Sequence, residues 1–285
     1  MTTPHPHRSV LYVPAANEKA LAKIASLAAD AVIIDLEDAV SPGAKAAARD
    51  NLVRFFENRP DKRLIIRINA LSTEWGADDL AAAKICKPDA ILLPKIDSPR
   101  DILETDDALD EGDAPKLIRL WAMIETPKAM MNLGAIAALG RDRAARLTCL
   151  VAGTNDLAKD TGIRITPDRR YLTPALLQMV MAARAGNLTV LDGVSNDFRD
   201  LDAFSAECRE GRNMGFDGKT LIHPAQIEPA NRAFAPSDEE VADAQAIVDA
   251  FATDPAKGVI QINGRMVERL HLAQAEKLLA ARIGA

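Results

Sequence analysis

Eight short apolar runs, rich in β-branched residues, recur at close spacing along the first 224 residues, and they constrain the fold more than any other feature. They are SVLYVP at 9–14, AVIIDLE at 31–37, LIIRIN at 64–69, AILLPK at 90–95, KLIRLWAMIE at 116–125, RLTCLVAG at 146–153, LTVLDG at 188–193 and GKTLIHP at 218–224. Between them lie helix-length segments with apolar residues at helical spacing, such as Ala20, Ile24 and Leu27, or Leu176, Met179 and Val180. Strand-length runs alternating with helices are the sequence form of repeated βα units. Several runs lack polar alternation, as suits a parallel sheet buried on both faces. Eight units closing on themselves predict a (β/α)8 TIM barrel, although an open doubly wound sheet would show the same alternation.

The chain is long enough for this architecture, since one such barrel takes roughly 250 residues. No Gly/Ser linker, charge block or low-complexity tract divides it, so residues 1–235 are expected to form the barrel and 236–285 a C-terminal, lid-like helical extension. A net charge of −6 lacks the basic surplus of a nucleic-acid binder. An anionic ligand must therefore be held by local cations. Cys86, Cys149 and Cys208 are widely spaced in apolar stretches and read as core residues in a reducing compartment. No apolar run is long enough to span a bilayer, no apolar segment follows the first charges, and a cytoplasmic location without membrane contact is expected. His5 and His7, set among prolines, read as a disordered lead-in.

The position of the polar residues favours the closed barrel, where catalytic groups gather at the C-terminal ends of several strands. The second run ends in Asp35, Glu37 and Asp38, the third carries Arg67 and Asn69, and the fourth ends in Lys95. The fifth ends in Glu125, the sixth leads to Gly153, Asn155 and Asp156, the seventh ends in Asp192, and the eighth leads to His223. A single charge at a strand end is usually the start of a solvated loop. Several in register, some inside runs that should stay apolar, point to a shared and partly buried site.

Glu125 and Asp156 stand one βα unit apart, so their carboxylates can converge above neighbouring strands. Two buried carboxylates repel unless protonated or bridged by a cation. A Mg2+ ion held by one or two carboxylates, with water and substrate oxygens completing its octahedron, resolves the repulsion; the competing reading pairs each carboxylate with an arginine. The planar fork of Arg67 can grip a carboxylate or a developing enolate oxygen. Carbon–carbon cleavage beside a carbonyl fits these parts. Nucleophilic serine or cysteine, dinucleotide and P-loop chemistry do not, because their motifs are missing.

Taken in order, RSVLYVPA at 8–15, DLEDAV at 35–40, RIN at 67–69, LPK at 93–95, IET at 124–126, GTNDL at 153–157 and GFDGKTLIHPAQI at 215–227 resemble the citrate lyase beta-subunit-like, CoA-ester lyase branch of the HpcH/HpaI aldolase superfamily. The resemblance covers essentially the whole chain. It implies that Glu125 and Asp156 bind Mg2+, with Mn2+ as a substitute, and that Arg67 binds the keto acid or polarises the forming enolate. It implies further that Glu37 and Asp38 support metal-bound water, and that Arg8, Lys95, Gly153 and the 218–226 segment help hold substrate or a CoA-type carrier. Members cleave malyl, citramalyl, citryl or related thioesters to an acyl thioester and a keto acid, some hydrolyse malyl-CoA, and they commonly assemble as homotrimers or homohexamers.

Two departures stand out. The metal segment of many relatives reads GxEDL, and here Asn155 takes the place of its first carboxylate. NGRMVERLHLAQA at 263–275 resembles the C-terminal lid of such lyases, with Glu268 where they carry a catalytic aspartate that reaches a neighbouring subunit. A solvated helix-face charge is the plainer reading of Glu268. The leading expectation is a Mg2+-dependent lyase acting on a short 3-hydroxyacyl-CoA. The rivals are a citrate lyase beta subunit acting on an acyl carrier protein, a malyl-CoA thioesterase, a pyruvate-type class II aldolase and a non-catalytic barrel.

Overall fold

The computed structural model describes residues 7–283 except 113, 143, 255 and 263. Its chain forms two compact units, His7–Ala233 and a second from Phe234 onward.

The first unit is a closed barrel of eight parallel strands in sequential order. These are β1 (Ser9–Pro14), β2 (Ala31–Asp35), β3 (Arg63–Arg67), β4 (Ala90–Leu93), β5 (Arg119–Ile124), β6 (Leu147–Ala152), β7 (Thr189–Asp192) and β8 (Gly218–Leu221). Pairing of β1 with both β2 and β8 closes the sheet and excludes the open alternative. The helices are α1 (Glu18–Leu21), α2 (Lys45–Glu57), α3 (Gly76–Cys86), α4 (Pro99–Glu111), α5 (Pro127–Ala138), α6 (Thr154–Thr161), α7 (Thr173–Gly186), α8 (Leu201–Met214) and α9 (Ile227–Phe234). All three cysteines are buried, as read from their apolar surroundings.

Side chains alternate across a strand, so each strand sends every second residue into the barrel. Val10, Ala31, Ile33, Ile65, Ala90, Leu92, Trp121, Met123, Cys149, Val151 and Leu191 fill that interior. Tyr12, Asp35, Arg67, Glu125 and Gly153 continue the same parity one step toward the C-terminal ends. The apolar core is therefore roofed by a polar layer, and the strand-end charges follow from register.

Asp192 has the opposite parity and is a correction to the expected set. It points outward beneath α8, where Arg169 Nη1 donates to it at 2.8 Å and Lys219 Nζ at 2.9 Å, with Glu207 Oε1 2.7 Å from the same ammonium. Lys219 and Asp192 are fully buried, so this network joins β7, β8, α8 and the segment after α6. His7 is also not a loose lead-in, since its ring packs edge-on against Trp121 at 5.5 Å; His5 lies outside the described residues.

The second unit begins with α10 (Asp238–Thr253), capped by Ser237 and Glu240, and continues through the antiparallel pair β9 (Val259–Ile262) and β10 (Arg265–Glu268) into α11 (Arg269–Ile283). Val241, Ala244, Phe251, Val267 and Ala275 form its buried apolar side. No described helix in the chain is long and apolar enough to cross a membrane.

Candidate active site

At the C-terminal ends of the strands lies a cavity of about 300 Å3, lined among others by Tyr12, Asp35, Arg67, Glu125, Gly153 and Asp156. Local sequence explains how each arrives. Glu125 is the first residue past β5, and the next, Thr126, caps α5 by accepting from the Ala129 N–H at 2.9 Å, with Pro127 in the first turn. Asp156 sits in the first turn of α6, where the exposed N–H groups favour a carboxylate. Gly153 caps that helix against Glu125, and a Cβ on it would stand 2.8 Å from Glu125 Oε2. Only glycine lets the two segments approach so closely.

Asp35 organises the opposite wall. Its Oδ1 accepts from the Glu37 N–H at 2.9 Å and its Oδ2 from the Ala39 N–H at 3.1 Å, which folds the DLEDA turn. The same carboxylate takes Arg67 Nε at 2.7 Å and Nη2 at 2.6 Å. Arg67 Nη1 lies 2.8 Å from Glu37 Oε2 and 3.5 Å from Asp38 Oδ2, and the guanidinium sits 4.8 Å from the Tyr12 ring centre. Two of the fork's three nitrogens are thus committed to Asp35, and Nη1, which faces Glu37 and Asp38, has two N–H groups to divide between them and a ligand. Burial pushes the Glu37 carboxyl up to about 8 against the pull of Arg67, and the charges of Asp38, Glu125 and Asp35 add to the shift.

Across the cavity, Glu125 Oε1 accepts from the Lys95 N–H at 2.7 Å. Lys95 Nζ lies 3.4 Å from that oxygen and 2.7 Å from Asp156 Oδ1. Burial pushes Glu125 up to about 7, opposed by Lys95. The two carboxylates therefore converge on one cation, as their spacing predicts, and that cation is a lysine rather than the arginines of the competing reading. Their hard oxygen chemistry fits a divalent ion such as Mg2+. Among the described residues no cluster of three or more ligating side chains exists, so water and substrate oxygens would complete the shell.

The structure brings Arg67, Glu37, Asp38, Lys95, Glu125, Gly153 and Asp156 together. It does not bring Arg8. That residue precedes β1, at the N-terminal end of the barrel, and its fork is taken by Asp30 at 2.9 and 2.8 Å, so it leaves the substrate-binding set. Glu268 closes β10 in the second unit, where its N–H donates to His271 Nδ1 at 2.9 Å. Asn155 forms a reciprocal amide pair with Asn196, at 3.1 and 2.9 Å. Sequence reasoning missed Asn196, which lies on an irregular loop, and Tyr12, and placed Asp35 among the strand-end polar residues without a specific role, although strand parity marks both Tyr12 and Asp35.

The barrel residues of this site fall within a match to one known family, HpcH/HpaI aldolase/citrate lyase, which spans residues 8–224; Glu268 lies beyond it. The chain belongs to that family. Along the citrate lyase beta-like branch, it is 47% identical to a (3S)-malyl-CoA thioesterase of Cereibacter sphaeroides, over 97% of this chain and 94% of the relative. It is 32% identical to citrate lyase subunit beta of Escherichia coli, over 94% and 93%. CitE from Mycobacterium tuberculosis, solved in complex with magnesium, acetoacetate and coenzyme A, matches with a TM-score of 0.80 and 30% identity, covering 97% of this chain and 98% of that one. This family member carries its polar layer on a complete eight-stranded barrel.

Proposed function

We propose that this chain is a Mg2+-dependent carbon–carbon lyase acting on a short 3-hydroxyacyl-CoA of the malyl-CoA type. The observation that carries the reading is the convergence of Glu125 and Asp156 on a single cation, across the cavity from Arg67. When bound there, the metal would supply Lewis-acid polarisation of a substrate oxygen. Arg67 Nη1 contributes a fixed donor for the carboxylate or carbonyl oxygen of the keto-acid portion, and Asp35 keeps that donor aimed without reorganisation. In cleavage, the bond between the hydroxyl-bearing carbon and the carbon next to the thioester breaks. The hydroxyl gives up its proton and the released carbon takes one, yielding a keto acid and an acyl-CoA.

A second reading rests on a separate observation, the 47% identity to a (3S)-malyl-CoA thioesterase against 32% to a citrate lyase beta subunit. In hydrolysis, water adds to the thioester carbonyl and the carbon–sulfur bond breaks, giving the free hydroxy acid and CoA. Product analysis with malyl-CoA and Mg2+ separates the two. Glyoxylate with acetyl-CoA supports the lyase reading, malate with free CoA supports hydrolysis, and no turnover of malyl-, citramalyl- or citryl-CoA defeats both.

Glu268 is proposed as a proton-transfer group supplied by the C-terminal unit of a neighbouring subunit, within a homotrimer or homohexamer. The likeness of residues 264–275 to a lid supports this assignment; Asn263, which opens the motif, lies outside the described residues.

A further inference from the structure

We infer that Lys95 is the protein's own cation for the Glu125–Asp156 pair, and that a divalent metal ion displaces its ammonium from these carboxylates toward a second cavity beside its stem. The inference rests on the metal reading above and concerns what the chain must do to admit the ion.

The carboxylates that would hold the metal are the ones Lys95 Nζ approaches, at 2.7 Å from Asp156 Oδ1 and 3.4 Å from Glu125 Oε1. Two cations cannot share them, because at such separations in a partly buried site their repulsion is poorly screened. The backbone of Lys95 is not free to move away. It holds a left-handed conformation, with φ of 53°, and its N–H is fixed to Glu125 Oε1 at 2.7 Å. Relief must come from the side chain.

There is room for it. Lys95 also lines a cavity of about 240 Å3 formed with Asn69, Ser72, Asp101, Glu104 and Thr105, between the segments that follow β3 and β4. Its side chain is 37% exposed, so no packed core holds the stem in place. Asp101, whose Oδ2 accepts from the Asp97 and Ser98 N–H groups at 2.8 Å, and Glu104, paired with Arg100 at 2.6 Å, border this cavity, so a released ammonium meets carboxylate oxygens there and not an apolar wall. Metal loading then turns Lys95 from a counter-ion within the site into a free cation at its edge. It is a positioning residue that reports the state of the metal site to the neighbouring cavity.

Lysine-selective acylation mapped by peptide mass spectrometry, with and without Mn2+, tests the displacement in the unmodified sequence, and Lys128 on the exposed side of α5 serves as the internal reference. Labelling of Lys95 is expected to rise severalfold when Mn2+ binds, while Lys128 stays constant. In parallel, Mn2+ affinity followed by electron paramagnetic resonance is expected to be about tenfold tighter in Lys95→Met, since a competing charge has been removed. If Mn2+ binds the wild-type chain but Lys95 labelling is unchanged or falls, or if Lys95→Met binds no more tightly, the displacement is wrong while the metal site stands. If folded wild-type protein binds no Mn2+, the metal reading fails and the displacement with it.

Discussion

Arg67 donates through Nε and Nη2 to both oxygens of Asp35, at 2.7 and 2.6 Å, and this pair fixes the guanidinium in the cavity wall. Lysine keeps the charge and loses the fork. Arg67→Lys is expected to lower kcat about 10²-fold, the scale of removing one preorganised donor, with a smaller change in KM. Steady-state kinetics check it, and a near-wild-type kcat would reduce Arg67 to a structural partner of Asp35.

Gly153 predicts a steric effect on the opposite wall. A methyl group there would press on Glu125 Oε2, so Gly153→Ala should weaken metal binding while the barrel remains folded. Mn2+ titration beside a thermal melt distinguishes the two. An unchanged affinity would show that Glu125 can yield without leaving the site.

Glu37 gives stability a pH dependence with a definite sign. Its carboxyl is raised from an ordinary value near 4.5 to about 8 in the folded chain. Between these values the folded state keeps a proton that the unfolded state has released, so stability falls as pH rises through this window. Glu125, raised to about 7, acts in the same direction. Thermal melts with a chelator present are expected to show Tm declining from pH 5 to 8, and Glu37→Gln should flatten that decline. A slope unchanged by the substitution would assign the effect elsewhere.

The buried Lys219 tests the network beneath α8. Lys219→Met leaves Asp192 with Arg169 and the Gly193 N–H and strands part of Glu207, at an expected cost of about 3–5 kcal/mol in denaturant unfolding. A cost below about 1 kcal/mol would mean that Arg169 neutralises the cluster by itself.

Most of the architecture was legible because it depends on periodicity. Eight apolar runs fix eight strands, and alternation within them decides that Arg67 and Glu125 share a roof while Asp192 points outward. The latter was misplaced because its position at a strand end was counted and its parity was not. Arg8 enters the expected set through motif likeness alone, and strand direction puts it at the opposite end of the barrel from the site. Asn196 and the ammonium of Lys95 between Glu125 and Asp156 depend on loop conformation, including a left-handed backbone at a lysine, which local sequence does not signal. Glu268 is read from motif likeness, and its role depends on assembly.

Complementation probes that role. Glu268→Ala and Glu125→Gln subunits, each inactive alone, should regain part of the activity when exchanged into mixed oligomers, because some neighbours then pair an intact C-terminal unit with an intact metal site. Absence of recovery under demonstrated exchange would remove Glu268 from action across subunits.

The most direct test of the central claim is the Mg2+ dependence of malyl-CoA turnover, measured on the wild-type chain, Glu125→Gln and Asp156→Asn under one set of conditions. The wild-type chain is expected to turn over malyl-CoA only with the metal present, and either substitution should remove both the turnover and the response to Mg2+. Full activity in Glu125→Gln, or wild-type turnover unaffected by a chelator, would contradict it.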